Sequence, residues 1–177
     1  MKTKINQYLK KIGYQITKAP SDLPLPFDMD KEFIEIFVKS KSHTRTNKEK
    51  MYEMYLAARY IAEGKIPGDV VECGVFKGGS AMVGATTFLL FGDEQRKFYL
   101  YDTYQGMPEP TDRDIRSKGD SPVKPQWKKN QRNGYNEWCY AALSEVKENM
   151  YSTGYPKENF IFIEGLVEDT IPKTMPD

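Results

Sequence analysis

The chain has 177 residues, 39% of them hydrophobic, which is enough for one domain with a core of ordinary size. Its 26 Lys and Arg stand against 25 Asp and Glu, a net charge of +1, so no overall field draws it to nucleic acid or to an anionic membrane. Specificity has to come from a local site.

Residues 1–29 read as a basic arm ending in the linker PSDLPLPFD, where Pro20, Pro24 and Pro26 bias the backbone to extended forms. No continuous apolar stretch follows the opening MKTKINQYLKK, so the arm does not read as a signal peptide. It suits either packing on a neighbouring subunit of a homo-oligomer or a disordered terminus. Residues 30–64 read as two helices. In the first, Phe33, Ile34, Phe37 and Val38 give an amphipathic spacing. After the loop KSKSHTRT, Asn47 caps a second helix with Met51, Met54, Tyr55, Ala58, Ile61 and Ala62 on one stripe, and Gly64 ends it.

Residues 65–177 alternate strands and helices. Asp69 to Val75 reads as a buried strand, and Gly79 to Phe91 as a helix apolar on nearly all sides, which has to be covered. That run is the longest apolar one, and it is too short for the ~20 residues a bilayer demands. The strand KFYLYD ends at Asp102. A polar segment from Thr103 to Asn133 follows, long enough to form a lid. Asn136 is placed to cap a helix with Trp138, Ala142, Val146 and Met150 in register, and NFIFIEG forms a third strand. This order implies βαβ units and a parallel sheet. Cys73 and Cys139 lack a CxxC spacing, which suits reduced thiols in a cytoplasm.

In parallel α/β sheets, ligands bind beyond the carboxyl ends of the strands. The stretch ECGVFKGGS, Glu72 to Ser80, sits at such an end. Its glycines let a ligand approach the backbone, and the amides opening the next helix favour a carboxylate or phosphate. The loop lacks the Lys-Ser/Thr of GxxxxGK[ST] and does not spell GxGxxG, so neither a P-loop nor a dinucleotide fingerprint is present. Asp102, at the end of the second strand, could accept both hydroxyls of a ribose. Together these features suit S-adenosylmethionine. A nicotinamide-dependent oxidoreductase is the competing enzyme reading, although its acidic residue would follow the glycines by ~20 positions. A catalytically inactive binding module is the competing non-enzyme reading.

Three runs carry a closer likeness: IPGDVVECGVFKGGSAM (66–82), YDTYQGMPEP (101–110) and GLVEDTIP (165–172), with VKEN (146–149) beside them. They resemble the macrocin O-methyltransferase, or TylF, family over about residues 43–172. The resemblance implies a Rossmann-like class I fold dependent on S-adenosylmethionine, with methyl transfer to a sugar hydroxyl of a small glycosylated acceptor. It implies that Glu72, Gly74, Val75, Gly78, Gly79 and Ser80 cradle the methionine end of the cofactor, that Asp102 meets the ribose, and that Gly165 and Leu166 wall the adenine. Glu168 and Asp169 read as a solvated turn before Pro172. Trp127 and Tyr135 suit either stacking on a sugar or anchoring the lid, and the lone His43 reads as a solvated loop residue rather than a base. The resemblance also implies a divalent metal, magnesium, held by aspartates in segments beyond GLVEDTIP. No residue here matches those ligands, so the catalytic residues stay unknown and the chain reads as the cofactor-binding half, with three core strands and an unpaired edge on the first.

Overall fold

Three parallel strands, β1 (Val70–Cys73), β2 (Phe98–Asp102) and β3 (Phe160–Glu164), lie in the spatial order β1-β2-β3. The computed structural model describes residues 28–115 and 122–175, so the arm as far as residue 27 lies outside the described residues. The register pairs Val70 with Phe98 and Cys73 with Tyr101, and then Asp102 with Glu164, which brings all three carboxyl ends to one rim. Among the described residues β1 has a partner on one side only. It is therefore not the buried strand its sequence suggests, since Cys73 is exposed and Val71 retains 43% of its surface.

The two N-terminal helices, α1 (Lys31–Ser40) and α2 (Lys48–Glu63), form where their spacing places them. The Lys50 N–H donates to Asn47 Oδ1 at 3.1 Å, satisfying one of the amides that a helix start leaves free. The all-round apolar helix α3 (Gly79–Leu90) is covered on both sides. Val83 joins Phe33, Ile36, Met51 and Tyr55 in one core, while Ala81, Met82, Ala85 and Phe88 join Phe98, Leu100, Val146 and Phe160 in the other. A short 3-10 turn, Lys41–His43, carries the chain from α1 toward α2 and across the start of α3. Arg96 locks the crossover into β2: its guanidinium donates to Asp93 Oδ2 and to the carbonyls of Gly68 and Ile66, each at 2.6 Å.

Two expectations change between β2 and the end of the chain. The helix expected after Asn136 is replaced by α5 (Leu143–Tyr151), preceded by an irregular stretch in which Cys139 has φ +58°. Asn136 is 2% exposed and is not a cap. Its Oδ1 accepts from the Trp138 N–H at 2.9 Å and its amide donates to Trp127 O at 2.9 Å, so this side chain ties the short helix α4 (Lys124–Asn130) to the body. The expected turn at Glu168 and Asp169 is instead the first turn of α6 (Val167–Thr174), where acidic residues complement the positive helix end and Pro172 is tolerated inside. Tyr101 secures its far end, donating to Thr174 O at 2.8 Å.

Two glycines of α3 separate backbone from side-chain constraint. A Cβ on Gly79 would fall 2.7 Å from the His43 carbonyl carbon and 2.6 Å from Thr44 Cβ, whereas one on Gly84 would meet only the Met54 methyl at 2.7 Å and Phe98 beyond it. Gly79→Ala should therefore cost about 1–3 kcal/mol in urea unfolding, because backbone cannot step aside cheaply. Gly84→Ala should stay within about 1 kcal/mol of the parent, helix propensity offsetting the displaced methyl. Equal losses at both positions would contradict the distinction.

Candidate functional site

A cavity of about 530 Å³ opens at the carboxyl rim of β1 and β2, a volume within the usual range for small-molecule sites. Its floor begins with the turn after β1. Gly74 has φ +85°, a conformation costly for residues with a Cβ, and its N–H donates to Tyr101 O at 2.8 Å. Asp102 holds the next two residues: its Oδ2 accepts from the Val75 N–H at 2.7 Å and the Phe76 N–H at 2.9 Å. Phe76 is thereby kept at φ +52°, in the left-handed region that a non-glycine residue rarely occupies. The other oxygen, Oδ1, accepts from the Tyr104 N–H at 2.9 Å. Asp102 thus already serves three amides. Oδ2 has both lone pairs in use, whereas Oδ1, which also lies 3.5 Å from the Thr103 hydroxyl, keeps room for a further donor.

Glu72 reaches the same cavity from β1. Its Oε2 is buried and has no hydrogen-bond partner among the described residues. Burial first, and then the neighbouring Asp102 charge, raises its carboxyl to about 7; the Ala81 N–H, at the start of α3, opposes that rise. The same two causes, burial and then the charge of Asp102, push the Tyr104 hydroxyl up, and that hydroxyl donates to Leu100 O at 2.8 Å. An unpartnered buried carboxylate oxygen is costly, and a cationic donor would relieve it.

Of the nine residues expected in the pocket, Glu72, Gly74, Val75, Ser80, Asp102, Gly165 and Leu166 line the cavity, and Gly78 and Gly79 do not. Gly78 precedes α3 at φ +86° and packs against Met150, while Gly79 accommodates the backbone of His43. Both shape the loop from behind. Gly165 joins the β2 end, its N–H donating to Asp102 O at 3.0 Å, and Leu166 is 37% exposed toward the opening. Glu168 is exposed, as expected, and also lines the cavity. His43 does not line it; the residue is half-buried, and its Nδ1 is buried without a partner among the described residues. The Trp127 indole donates to Met107 O at 2.8 Å, and the rings of Tyr135 and Tyr140 lie 4.5 Å apart; Trp127 and Tyr135 also line a second, smaller cavity beside Gly165 and Leu166. Sequence reasoning overlooked Thr44, Arg45 and Thr46, which line the cavity from the loop before α2. The one signal was Gly79, a glycine at a helix start, which marks a close approach without naming the segment that makes it.

The family model for Macrocin-O-methyltransferase (TylF) matches residues 27–177. Over 133 residues the chain is 25% identical to the "8-demethyl-8-(2,3-dimethoxy-alpha-L-rhamnosyl)-tetracenomycin-C 4'-O-methyltransferase" of Streptomyces olivaceus, covering 75% of this chain and 48% of that protein. A second relative, the "Mycinamicin III 3''-O-methyltransferase" of Micromonospora griseorubida, is also 25% identical over 133 residues, 74% of this chain and 49% of its own length. The chain spans about half the length of the curated relatives it matches. Among solved structures, the O-methyltransferase NovP aligns with a TM-score of 0.59 at 21% identity, over 75% of this chain and 51% of that one. CalS11, a calicheamicin methyltransferase, aligns with a TM-score of 0.51 at 18% identity, over 97% and 60%. These likenesses establish the Rossmann-like class I methyltransferase fold.

The environment of Glu72 sets a pH dependence. The folded carboxyl holds its proton to about pH 7, whereas the ordinary value is 4.5. Its contribution to stability is therefore complete below the lower value and is lost as pH rises through the upper one. Glu72→Gln should remove that loss, making the variant more stable than the parent by on the order of 2 kcal/mol near pH 8, with the two converging near pH 5. Urea midpoints across this range check it; parallel profiles for parent and variant would contradict it.

Proposed function

Because the chain belongs to the macrocin-O-methyltransferase family, we propose that it supplies the S-adenosylmethionine-binding part of an O-methyltransferase acting on a sugar hydroxyl of a small glycosylated acceptor. The observation that carries this reading is the buried, unpartnered Oε2 of Glu72 in a cavity of suitable size. That oxygen is suited to the ammonium group of a methionine moiety, which would donate to it and favour its charged form. Three carboxylates, Glu72, Asp102 and Glu168, line the cavity against one guanidinium, Arg45. A ligand bearing a sulfonium and an ammonium against one carboxylate complements that balance, whereas the pyrophosphate of a nicotinamide dinucleotide opposes it.

In this reading the turn at Gly74 and Val75 lets the ligand lie against the backbone, Asp102 Oδ1 accepts one ribose hydroxyl, and Gly165 with Leu166 forms the adenine wall. When bound, the cofactor supplies an electrophilic methyl group. The sugar acceptor follows from the printed activities of the two relatives. Metal assistance rests on the family resemblance alone: among the described residues no group of three or more His, Cys, Asp or Glu side chains could hold an ion, and no step is assigned to one. No helix among the described residues is long and apolar enough to cross a membrane. The free thiols of Cys73 and Cys139 accord with a cytoplasmic setting, and packing of the arm in a homo-oligomer remains part of the proposal.

Calorimetry with S-adenosylhomocysteine should show saturable binding, and reduced nicotinamide cofactor should show none. Leu166→Asp should weaken that binding roughly tenfold by setting a charge against the adenine. Leu166 is the N-cap of α6, a position where Asp is favoured, so the fold should be kept. Absent nucleoside binding, or full affinity in Leu166→Asp, would contradict the proposed pocket.

A further inference from the structure

The loop overlooked in the sequence holds a charged group, Arg45, that forms no ion pair among the described residues. Gly79 brings the backbone of His43 and the side chain of Thr44 against the start of α3. The Thr46 N–H donates to Thr44 Oγ1 at 3.1 Å, and the two threonine hydroxyls lie 2.9 Å apart, so Arg45 stands between two mutually braced residues. Its Cζ lies 5.9 Å from the centroid of the Phe76 ring, and Phe76 is itself held by Asp102. Arg45 is exposed and lines the cavity, and among the described residues its guanidinium has neither a hydrogen bond nor an ion pair. The face of an aromatic ring limits the directions open to a guanidinium without using its in-plane donors. Those five donors match the geometry of a carboxylate. The same cavity holds Glu72 Oε2, buried and lacking a donor. Among the described residues, one site thus contains a guanidinium without an ion pair and a carboxyl oxygen without a donor, which together complement a zwitterionic amino-acid group.

We infer that Arg45 is the specificity residue for the α-carboxylate of the bound nucleoside: it receives that carboxylate while Glu72 receives the α-ammonium. The assignment rests on the proposed cofactor reading and adds the group that separates an amino-acid-bearing nucleoside from one without a carboxylate. An acidic acceptor is the other possible source of a carboxylate, and a comparison of two nucleosides distinguishes the two sources.

Calorimetry of the 177-residue chain at low salt, with S-adenosylhomocysteine and with its decarboxylated analogue, provides the test. The parent should bind the carboxylate-bearing ligand about tenfold more tightly. Arg45→Gln should bring the two affinities within about twofold by weakening that ligand alone, and Arg45→Lys should keep part of the preference. Thermal unfolding should change by no more than a degree or two in both variants, since the Phe76 ring is the guanidinium's one contact among the described residues. A preference unchanged in Arg45→Gln would overturn the assignment and leave an acidic acceptor as the partner of Arg45; equal weakening of both ligands would also overturn it. Failure of the parent to bind either nucleoside would overturn the cofactor reading beneath it.

Discussion

The site depends on one carboxylate that joins two loops. Asp102 ends β2, yet its oxygens accept from Val75 and Phe76 in the loop after β1 and from Tyr104 in its own. A charged acceptor serving three amides in a part-buried setting is worth more than three neutral hydrogen bonds. It keeps Phe76 in a left-handed conformation that sterics disfavour, and through Phe76 it sets the surface on which Arg45 lies. Asp102 therefore spends most of its bonding capacity joining the two loops.

The second constraint is electrostatic. Glu72 lies beside Asp102, and among the described residues neither a Lys nor an Arg pairs with it. That arrangement is unfavourable in itself, and a cationic donor would relieve it. The fold tolerates the cost because α3 offers the Ala81 amide and because the sheet fixes both strand ends through the β1–β2 register. The chain belongs to the macrocin-O-methyltransferase family.

Much of this was legible in the residues where the controlling interaction is local. Asn47 caps α2 with an oxygen three residues from the amide it serves, and the apolar circumference of α3 demanded cover on both sides. The strand ends and the glycine turn followed from the alternation of strands and helices. Where the decisive contact is remote, the reading failed. Asn136 looks like a cap, but its amide is used by Trp127, nine residues back, and it is buried under the segment it secures. The helix α6 was read as a turn because Pro172 stands within it, and its end is fixed by Tyr101, 73 residues earlier in the chain. The Thr44–Thr46 loop has no periodicity or motif. Its role depends on the missing side chain of Gly79, a signal of crowding that carries no address.

The proposed pocket fixes the orientation of one ligand in one cavity, and a crystal structure of the chain with S-adenosylhomocysteine measures it most directly. The amino nitrogen should lie within hydrogen-bonding distance of Glu72 Oε2, one ribose hydroxyl on Asp102 Oδ1, and the adenine against Leu166. A nucleoside bound with its adenine at Glu72, or bound outside the cavity, would contradict the account.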